Sequence, residues 1–307
     1  MGVAQRGGKR RRSRAIQSLT GGDPGTDDVP TMIISDARLL YLFLEIVDLR
    51  AARNFFERVI GLPLIEVEPH MPHHRHGIVK YDGGSMILSL NLSKWSRFDP
   101  HASDALVAAV GIDAADLEGR LARSGFGVSN GQSGIFTERH GHHFEFRRKP
   151  SGAPTVDELR LTVYDLEASI KFYRDMLDIP LVHRSPDAAR FAAGELDLVL
   201  QQGTTAADGR QPSLKSYLPV FYTPDIVTTQ RELIARGVFF RHAMPGFSEI
   251  GGSSRFEDPS GHTLCLYQPS EECLTWGSGP KVIELMQSRG GSNARRITNR
   301  LSVPVRN

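Results

Sequence analysis

An internal repeat restricts the fold of this chain more than any other feature of its sequence. The segment FLEIVDLRAARNFFERVIGLPLIEV begins at Phe43, and RLTVYDLEASIKFYRDMLDIPLVHR begins at Arg160. Asp48 aligns with Asp165, and the offset of 117 residues holds along the segment without a gap. A repeat of this kind indicates several copies of one supersecondary unit.

Two further pairs of segments extend the repeat. GIDAADLEGRLARSGF resembles TPDIVTTQRELIARGVFF, and ERHGHHFEF resembles EDPSGHTLCL. The second of these pairings aligns His142 with His262 and Glu145 with Cys265. The chain therefore contains four related units rather than two.

Each unit has the same order of local signals. A short strand with alternating apolar residues comes first, and an aspartate such as Asp48 then stands where a helix N-cap is expected. An apolar helical pattern follows and stops at a glycine, as at Gly61, Gly125 and Gly237. Strand patterns complete the unit. The sequence thus predicts an α+β fold of four βαβββ units, over about 39–95, 104–148, 156–202 and 216–268.

The units group into two predicted domains. We expect each pair of neighbouring units to close its sheets around a common space, with RRKPSGAPTVDE as the linker between the pairs. The predicted organisation is a disordered basic tail over 1–37, domains over 38–149 and 155–269, and a C-terminal tail with a short helix over 270–307.

Charge and composition narrow the cellular setting. The first fourteen residues hold six arginines and lysines and no acid, which is typical of a solvated tail and only weakly suggests nucleic-acid binding. No apolar run approaches the roughly 18 residues of a membrane span, and no signal-peptide pattern opens the chain. Cys265 and Cys273 are too few for a disulfide framework. We therefore expect a cytoplasmic protein, monomeric or homodimeric, without a membrane or nucleic-acid partner.

The four-unit layout resembles the vicinal oxygen chelate superfamily. The resemblance rests on VDLRAARNFFERVIGLPL, VYDLEASIKFYRDMLDIPL and FEDPSGHTLCLYQP, and it covers about 39–268. That superfamily includes glyoxalases, extradiol dioxygenases, fosfomycin-resistance enzymes and bleomycin-binding proteins. The resemblance implies two tandem domains with cup-shaped pockets, and it is compatible with both enzymes and binding proteins.

The resemblance also implies positions for the ligands of a divalent metal, usually two His or Gln residues and a Glu. These positions lie on the first and closing strands of each unit, and here they hold Tyr41, Leu106 and Glu145 in the first half and Glu158, Leu218 and Cys265 in the second. Leucine cannot bind a metal, so neither set is the usual triad. Whether the chain holds a divalent metal stays open at this point.

The segment ERHGHHFEF supplies the catalytic candidates. His143 and Glu145 lie two residues apart on a strand and share a face. We predict that Glu145 points into the pocket, as a base or a ligand, with His143 as its hydrogen-bonded partner. Tyr41 is the candidate proton donor or oxyanion stabiliser. We expect His142 to serve the turn rather than a metal.

The predicted substrate-binding residues are drawn from a histidine-rich loop and from inward strand positions. The loop EPHMPHHRHG is either a lid over the pocket or a solvated polar loop. The six candidates are His74, His76, His101, Glu158, Cys265 and Tyr217.

Two functions remain open. The sequence slightly favours a glyoxalase-like or dioxygenase-like enzyme, a lyase, isomerase or dioxygenase, that acts on a small oxygenated substrate without the conventional metal triad. The alternative is a metal-free small-molecule-binding protein of the bleomycin-resistance type, which would sequester a drug.

Overall fold

The computed structural model describes residues 38–68, 77–92, 106–113, 117–124, 135–203 and 216–288. The predicted basic tail over 1–37 lies outside these residues, as do His74, His76 and His101.

The described part of the chain forms two mixed sheets. Sheet A contains, in spatial order, β2 (Leu64–Glu68), β3 (Ile78–Asp82), β4 (Ile87–Leu92), β1 (Leu39–Ile46), β12 (Tyr217–Tyr222), β15 (Thr263–Pro269), β14 (Gly251–Glu257) and β13 (Gly246–Ser248). Sheet B contains β6 (Ile135–Thr137), β7 (His143–Arg148), β5 (Leu106–Ile112), β8 (Thr155–Val163), β11 (Leu196–Gln202), β10 (Ala188–Ala193) and β9 (Leu181–Arg184).

The helices follow the first strand of each unit, and one more helix follows the last strand. The unit helices are α1 (Leu49–Arg53), which continues as a π-helix over Asn54–Ile60, α2 (Leu117–Ser124), α3 (Leu166–Lys171), which continues as a π-helix over Phe172–Met176, and α4 (Ile226–Ala235). A 3₁₀ turn (Cys273–Thr275) and α5 (Gly279–Gln287) lie in the predicted C-terminal tail.

The helix boundaries agree with the signals in the sequence. Three predicted cap aspartates each accept the backbone N–H three residues on, at 3.0 Å for Asp48, 2.9 Å for Asp165 and 3.0 Å for Asp225. Gly61 and Gly237 have φ values of 82° and 95°, the left-handed conformation that ends a helix at little steric cost. Gly125 lies outside the described residues.

The pairing of the units corrects one expectation. Strand β1 of the first unit pairs antiparallel with β12 of the fourth, and β5 of the second unit pairs antiparallel with β8 of the third. Each sheet therefore joins units from both halves of the chain, instead of each half closing around its own space. Only residues 149–154 separate β7 from β8, and such a short connection favours a shared sheet for consecutive units.

The helices pack between the two sheets and join the units that the sheets separate. Phe55, in the π-helix after α1, stacks on Phe136 of sheet B, with 5.4 Å between ring centroids. Phe172, after α3, packs against Phe256 of sheet A at 6.4 Å. One apolar core thus fills the space between the sheets and fixes their relative position.

The opposite face of each sheet carries the candidate site residues. We call the face of sheet A that bears Tyr41, Phe43, Leu218, Cys265 and Tyr267 face A. We call the face of sheet B that bears His143, Glu145, Arg147, Glu158 and Arg160 face B. The last helix, α5, packs on face A through a second, smaller apolar cluster.

None of the helices in the described residues is both long and apolar enough to cross a membrane.

Candidate functional site

Face A contains a pocket of about 210 Å³, which we call the inner pocket. Most of its wall is apolar or aromatic, and the main lining side chains from the central strands are Tyr41, Phe43, Leu218, Val220, Cys265 and Tyr267. Strand alternation explains this lining. Tyr41 and Phe43 of β1 point to face A, while Leu42 and Leu44 enter the core between the sheets.

The C-terminal segment completes the inner pocket. Cys273, Trp276 and Ser278 line it, and Leu285 and Met286 of α5 are buried against face A. The sequence predicts a tail with a short helix here, and in the structure this segment forms part of the pocket wall.

Polar contacts anchor this segment to sheet A. The Lys80 ammonium donates to Ser278 Oγ at 3.1 Å, and the backbone N–H of Ser278 donates to a Glu66 carboxylate oxygen at 3.1 Å. Lys281 forms an ion pair with Asp82 at 3.1 Å. At the other end of α5, the Arg38 guanidinium donates to the carbonyl oxygens of Leu285 and Met286.

Tyr41, Lys80 and Cys265 in the inner pocket are neutral or already paired. Lys80 forms ion pairs with Glu66, at 3.1 Å, and with Glu68. Burial raises the pKa of Tyr41, so its phenol keeps its proton at neutral pH. Burial also raises the pKa of the Cys265 thiol to about 11, so the thiolate is scarce at pH 7. The pocket is therefore suited to apolar contact more than to charge transfer.

A second pocket of about 340 Å³, the outer pocket, adjoins the inner one. The two share Phe43, Leu218 and Arg255 as lining residues. The outer pocket is more polar, because Glu45 and Arg241 also line it.

Face B has a different character, because a network of ion pairs lies at its centre. Glu158 is 2% exposed and accepts hydrogen bonds from Arg147 at 2.9 Å and from Arg160 at 2.8 Å. Arg190 lies 3.5 Å from Glu158 and pairs with Asp197 at 2.9 Å. Each arginine of this network therefore has a carboxylate partner inside the protein.

The turn in ERHGHHFEF is held by its own side chains. The Glu138 carboxylate accepts the backbone N–H groups of His140 at 2.8 Å and His142 at 3.2 Å. The Asp48 N–H donates to His140 Nε2 at 3.1 Å, so the ring proton of His140 is on Nδ1, which donates to Glu138 at 2.9 Å. His142 Nε2 donates to the Glu45 carbonyl at 2.8 Å, and burial lowers the pKa of His142. These contacts tie the turn of the second unit to the first unit.

The second half of the chain repeats this arrangement, in which a carboxylate binds the turn and a histidine bonds to the neighbouring unit. We call the arrangement a clamp. The Asp258 carboxylate accepts the N–H groups of Ser260 at 2.9 Å and His262 at 2.8 Å. His262 Nε2 donates to the Thr162 carbonyl at 2.8 Å, and the Tyr217 hydroxyl donates to His262 Nδ1 at 2.6 Å. A matched pair of clamps shows that these histidines fasten neighbouring units together.

Comparison with known proteins agrees with this architecture. A family model described as Glyoxalase/Bleomycin resistance protein/Dioxygenase superfamily matches residues 155–266. Residues 155–266, in the second half of the repeat, therefore carry the sequence pattern of this superfamily. A search of curated proteins found no match.

Solved structures of superfamily type share the fold across most of the chain. Glyoxalase I from Zea mays is 18% identical, with 83% of this chain and 97% of that chain covered and a TM-score of 0.61. A variant of the same maize enzyme gives 18% identity, coverage of 75% and 93%, and a TM-score of 0.59. A candidate dioxygenase from Bacillus subtilis gives 14% identity, coverage of 76% and 85%, and a TM-score of 0.57. At these identities the likeness shows the fold alone.

The three predicted catalytic residues do not meet in one site. Glu145 and His143 share face B, as the strand spacing indicates, but Tyr41 lies on face A. Within the described residues, His143 and Glu145 have hydrogen-bond partners other than each other. His143 Nδ1 contacts Thr137 Oγ1 at 2.8 Å, while Glu145 accepts from Arg147 and Arg160.

The environment of Glu145 keeps it ionised. Desolvation alone would raise its pKa, but hydrogen bonds from Arg147 at 2.9 Å and Arg160 at 2.8 Å outweigh that effect and leave the pKa below its usual value. A general base that accepts a proton near neutral pH needs a raised pKa, so this carboxylate is poorly suited to that role.

The residues at the superfamily's metal-ligand positions do not fit a metal in the described part of the chain. Strand pairing mixes the two predicted sets of positions. Tyr41, Leu218 and Cys265 line the inner pocket, while Glu145 and Glu158 share face B. In the inner pocket one position is a hydrocarbon, and the other two are a protonated phenol and a protonated thiol. Across the described residues, no three His, Cys, Asp or Glu side chains are grouped as a metal site requires.

The fit on face B is no better, because arginines occupy the carboxylates of Glu145 and Glu158. Leu106 is not on this face, since its side chain enters the core between the sheets. The register of β5 places Val107 beside His143 on this face instead, and the side chain of valine has no donor atom for a metal.

The predicted substrate-binding residues also divide between environments. Cys265 lines the inner pocket, and Glu158 lies on face B within the ion-pair network. Tyr217 borders the outer pocket, but it is 3% exposed and its hydroxyl is bonded to His262, so its first role is structural.

Sequence reasoning missed Arg255, Trp276, Ser278 and the clamp carboxylate Glu138. The signal for Arg255 is its place in SSRFEDPSGH, where alternation sets Ser253 and Arg255 on the same face as Cys265. The apolar residues of VIELM carry a helical period, which marks α5 as a helix that covers something. No local signal shows which surface it covers.

Proposed function

We propose that this chain is a metal-independent small-molecule-binding protein whose ligand occupies the inner pocket. The observation that carries the proposal is the apolar and aromatic lining of that pocket at the positions where the superfamily would place metal ligands. Leu218 there offers contact area to a ligand and has no donor atom for a metal.

The size and composition of the pocket indicate the kind of molecule. About 210 Å³ is smaller than the roughly 300–1,000 Å³ of sites for drug-sized ligands, which favours a ligand with one or two rings. Tyr41, Phe43 and Trp276 provide aromatic surfaces with which a flat ring can stack. The proposed ligand is thus a small, largely aromatic molecule.

The enzyme hypothesis has less support from the geometry. Its three catalytic candidates lie on two different faces, and Glu145 is held as an ionised partner of two arginines. A binding role needs only the pocket, which the described residues form.

The proposal can be tested by isothermal titration calorimetry with 2-naphthamide, a neutral two-ring molecule, after dialysis of the protein against EDTA. We expect one binding site per chain. Leu218→Trp should abolish binding because the indole would fill the pocket. Val182→Trp, at an exposed position on β9, is the matched control and should bind like the wild type.

Two results would contradict the proposal. One is binding that disappears after EDTA treatment and returns with a divalent metal. The other is conversion of the bound compound into a product, which mass spectrometry of the recovered ligand would detect.

A further inference from the structure

Arg255 stands at the junction of the two pockets on face A. It lies on β14 opposite Cys265 of β15, and it lines both the inner and the outer pocket. Its charge is close enough to oppose the effect of burial on the pKa of Cys265. A ligand that fills the inner pocket would therefore end near this guanidinium.

Arg255 differs from the other cations that line these pockets. Lys80 is paired with Glu66 and Glu68, and Arg241 donates to Glu257 at 2.5 Å. For Arg255, by contrast, no carboxylate or other acceptor among the residues that the structure describes contacts the side chain. Its hydrogen-bonding capacity is free for a ligand.

The chemistry of the guanidinium limits the partner. Arginine presents paired N–H donors in a planar fork, and this fork matches the two oxygens of a carboxylate. The apolar wall beside it, formed by Val220 and Leu218, suits the hydrocarbon part of such a molecule. An uncharged acceptor such as an amide oxygen could take one of these N–H groups, but it lacks the charge and the second oxygen that the fork can bind.

We infer that the ligand of the inner pocket is a small aromatic carboxylate whose ring lies among Tyr41, Phe43 and Trp276 and whose carboxylate is held by Arg255. This inference rests on the proposed function and narrows its ligand class. The acid binds with its ring inside and its charge toward the outer pocket, where solvent lowers the cost of desolvating the charge.

The experiment compares 2-naphthoate with 2-naphthamide, which have the same ring system and similar size but differ in charge. In calorimetric titrations of the full chain, the wild type should bind the acid about tenfold more tightly than the amide, the effect of one charge-assisted hydrogen bond at a partly exposed site. Arg255→Gln should remove this preference and leave the affinity for the amide within about twofold, because the apolar contacts are unchanged.

Arg241→Gln is the matched control. It removes an arginine of the outer pocket that is already engaged by Glu257, so the preference for the acid should persist. Higher salt should weaken the binding of the acid and leave that of the amide nearly unchanged, since salt screens exposed charges.

The outcomes separate the inference from the proposed function. If the wild type binds both probes equally, or if the preference for the acid survives Arg255→Gln, the inference is overturned while the binding function stands. If neither probe binds, the proposed function fails and the inference fails with it. Loss of the preference in Arg255→Gln alone supports both.

Discussion

Face A and face B are built on equivalent strands of related units, yet their arginines differ in whether a carboxylate of the protein pairs with them. On face B the arginines Arg147, Arg160 and Arg190 are neutralised within the protein, around Glu158. On face A the wall is apolar, and the charge of Arg255 has no partner among the described residues. The fold thus fixes where the faces lie, while a few side chains decide whether the charges on a face are paired within the protein.

The C-terminal segment adds to this contrast. It packs α5 against face A, where Leu274, Val282 and Leu285 are buried. The same strands would otherwise expose a large apolar surface, which soluble proteins seldom tolerate. The segment therefore turns an exposed sheet face into a pocket.

The largest expected effect comes from removing this segment. A chain that ends at Glu272 should lose about 4 kcal/mol or more of unfolding free energy, since the loss of one buried leucine costs about 2–5 kcal/mol. Urea unfolding followed by circular dichroism measures the change. A chain that ends at Ser288, which keeps α5, should unfold like the full chain. Equal stability of the two truncated chains would show that α5 contributes nothing to face A.

The next effect concerns the ion pairs on face B. Glu158→Gln should destabilise the protein by about 3 kcal/mol, because it leaves Arg147 and Arg160 without their buried partner. Asp197→Asn, which changes a more exposed carboxylate on the same face, should cost at most about 0.5 kcal/mol. Binding of 2-naphthamide to face A should be unchanged in both variants.

The pH dependence of the Glu158 effect has a defined sign. Desolvation raises the pKa of Glu158, but the hydrogen bonds from the arginines lower it by a larger amount. The pKa of Glu158 in the folded protein therefore lies below the unfolded value of about 4.3. The contribution of ionised Glu158 to the free energy of unfolding is present above the unfolded pKa and is lost as the pH falls through the folded pKa. The stability difference between wild type and Glu158→Gln should therefore be constant from about pH 6 to 8 and should shrink below about pH 4. A difference that grows in acid would contradict this account.

A smaller effect is expected at the clamp between units. His262→Ala should cost about 2 kcal/mol, because it leaves the Thr162 carbonyl and the Tyr217 hydroxyl without their partner. Adding Tyr217→Phe to the His262→Ala variant should hardly change the free energy of unfolding further, since it removes the hydroxyl that His262→Ala leaves without a partner. A thermal unfolding series of the two single variants and the double variant measures the coupling. Full additivity would show that the two side chains act independently.

The smallest effect on stability, but a clear one on reactivity, concerns the thiol of face A. Burial raises the pKa of Cys265 to about 11, so its thiolate is scarce at pH 8 and forms only as the pH approaches 11. In a Cys273→Ser protein, iodoacetamide should alkylate Cys265 about 100-fold more slowly at pH 8 than after unfolding in guanidinium chloride. Mass spectrometry follows the reaction. Equal rates in the folded and unfolded protein would mean that the inner pocket does not shield this thiol.

Much of the local structure could be read from the sequence. The caps at Asp48, Asp165 and Asp225 and the stops at Gly61 and Gly237 depend on backbone conformations that single residues impose. The repeated motifs resemble those of the vicinal oxygen chelate superfamily, and the observed sheets and helices agree with the fold that this resemblance implies.

The site was harder to predict, because its parts come from distant positions. Strand alternation correctly set His143 and Glu145 on one face, but it could not show that Arg160, from another unit, would take the carboxylate of Glu145. Tyr41 was assigned to the same site as Glu145 because the first two units were expected to close their sheets around a common space.

The sequence by itself determined the repeated units, three of which are complete as βαβββ within the described residues, together with their caps and the side of each strand that faces the helices, because these depend on contacts within a few residues. Only the tertiary structure decided three features. The first unit pairs with the fourth, the arginines of face B pair with carboxylates on the same face, and α5 covers face A. Those outcomes depend on hydrogen bonds and apolar contacts between residues far apart in the chain, such as Arg38 with Met286, and local sequence patterns do not encode which distant surfaces will meet.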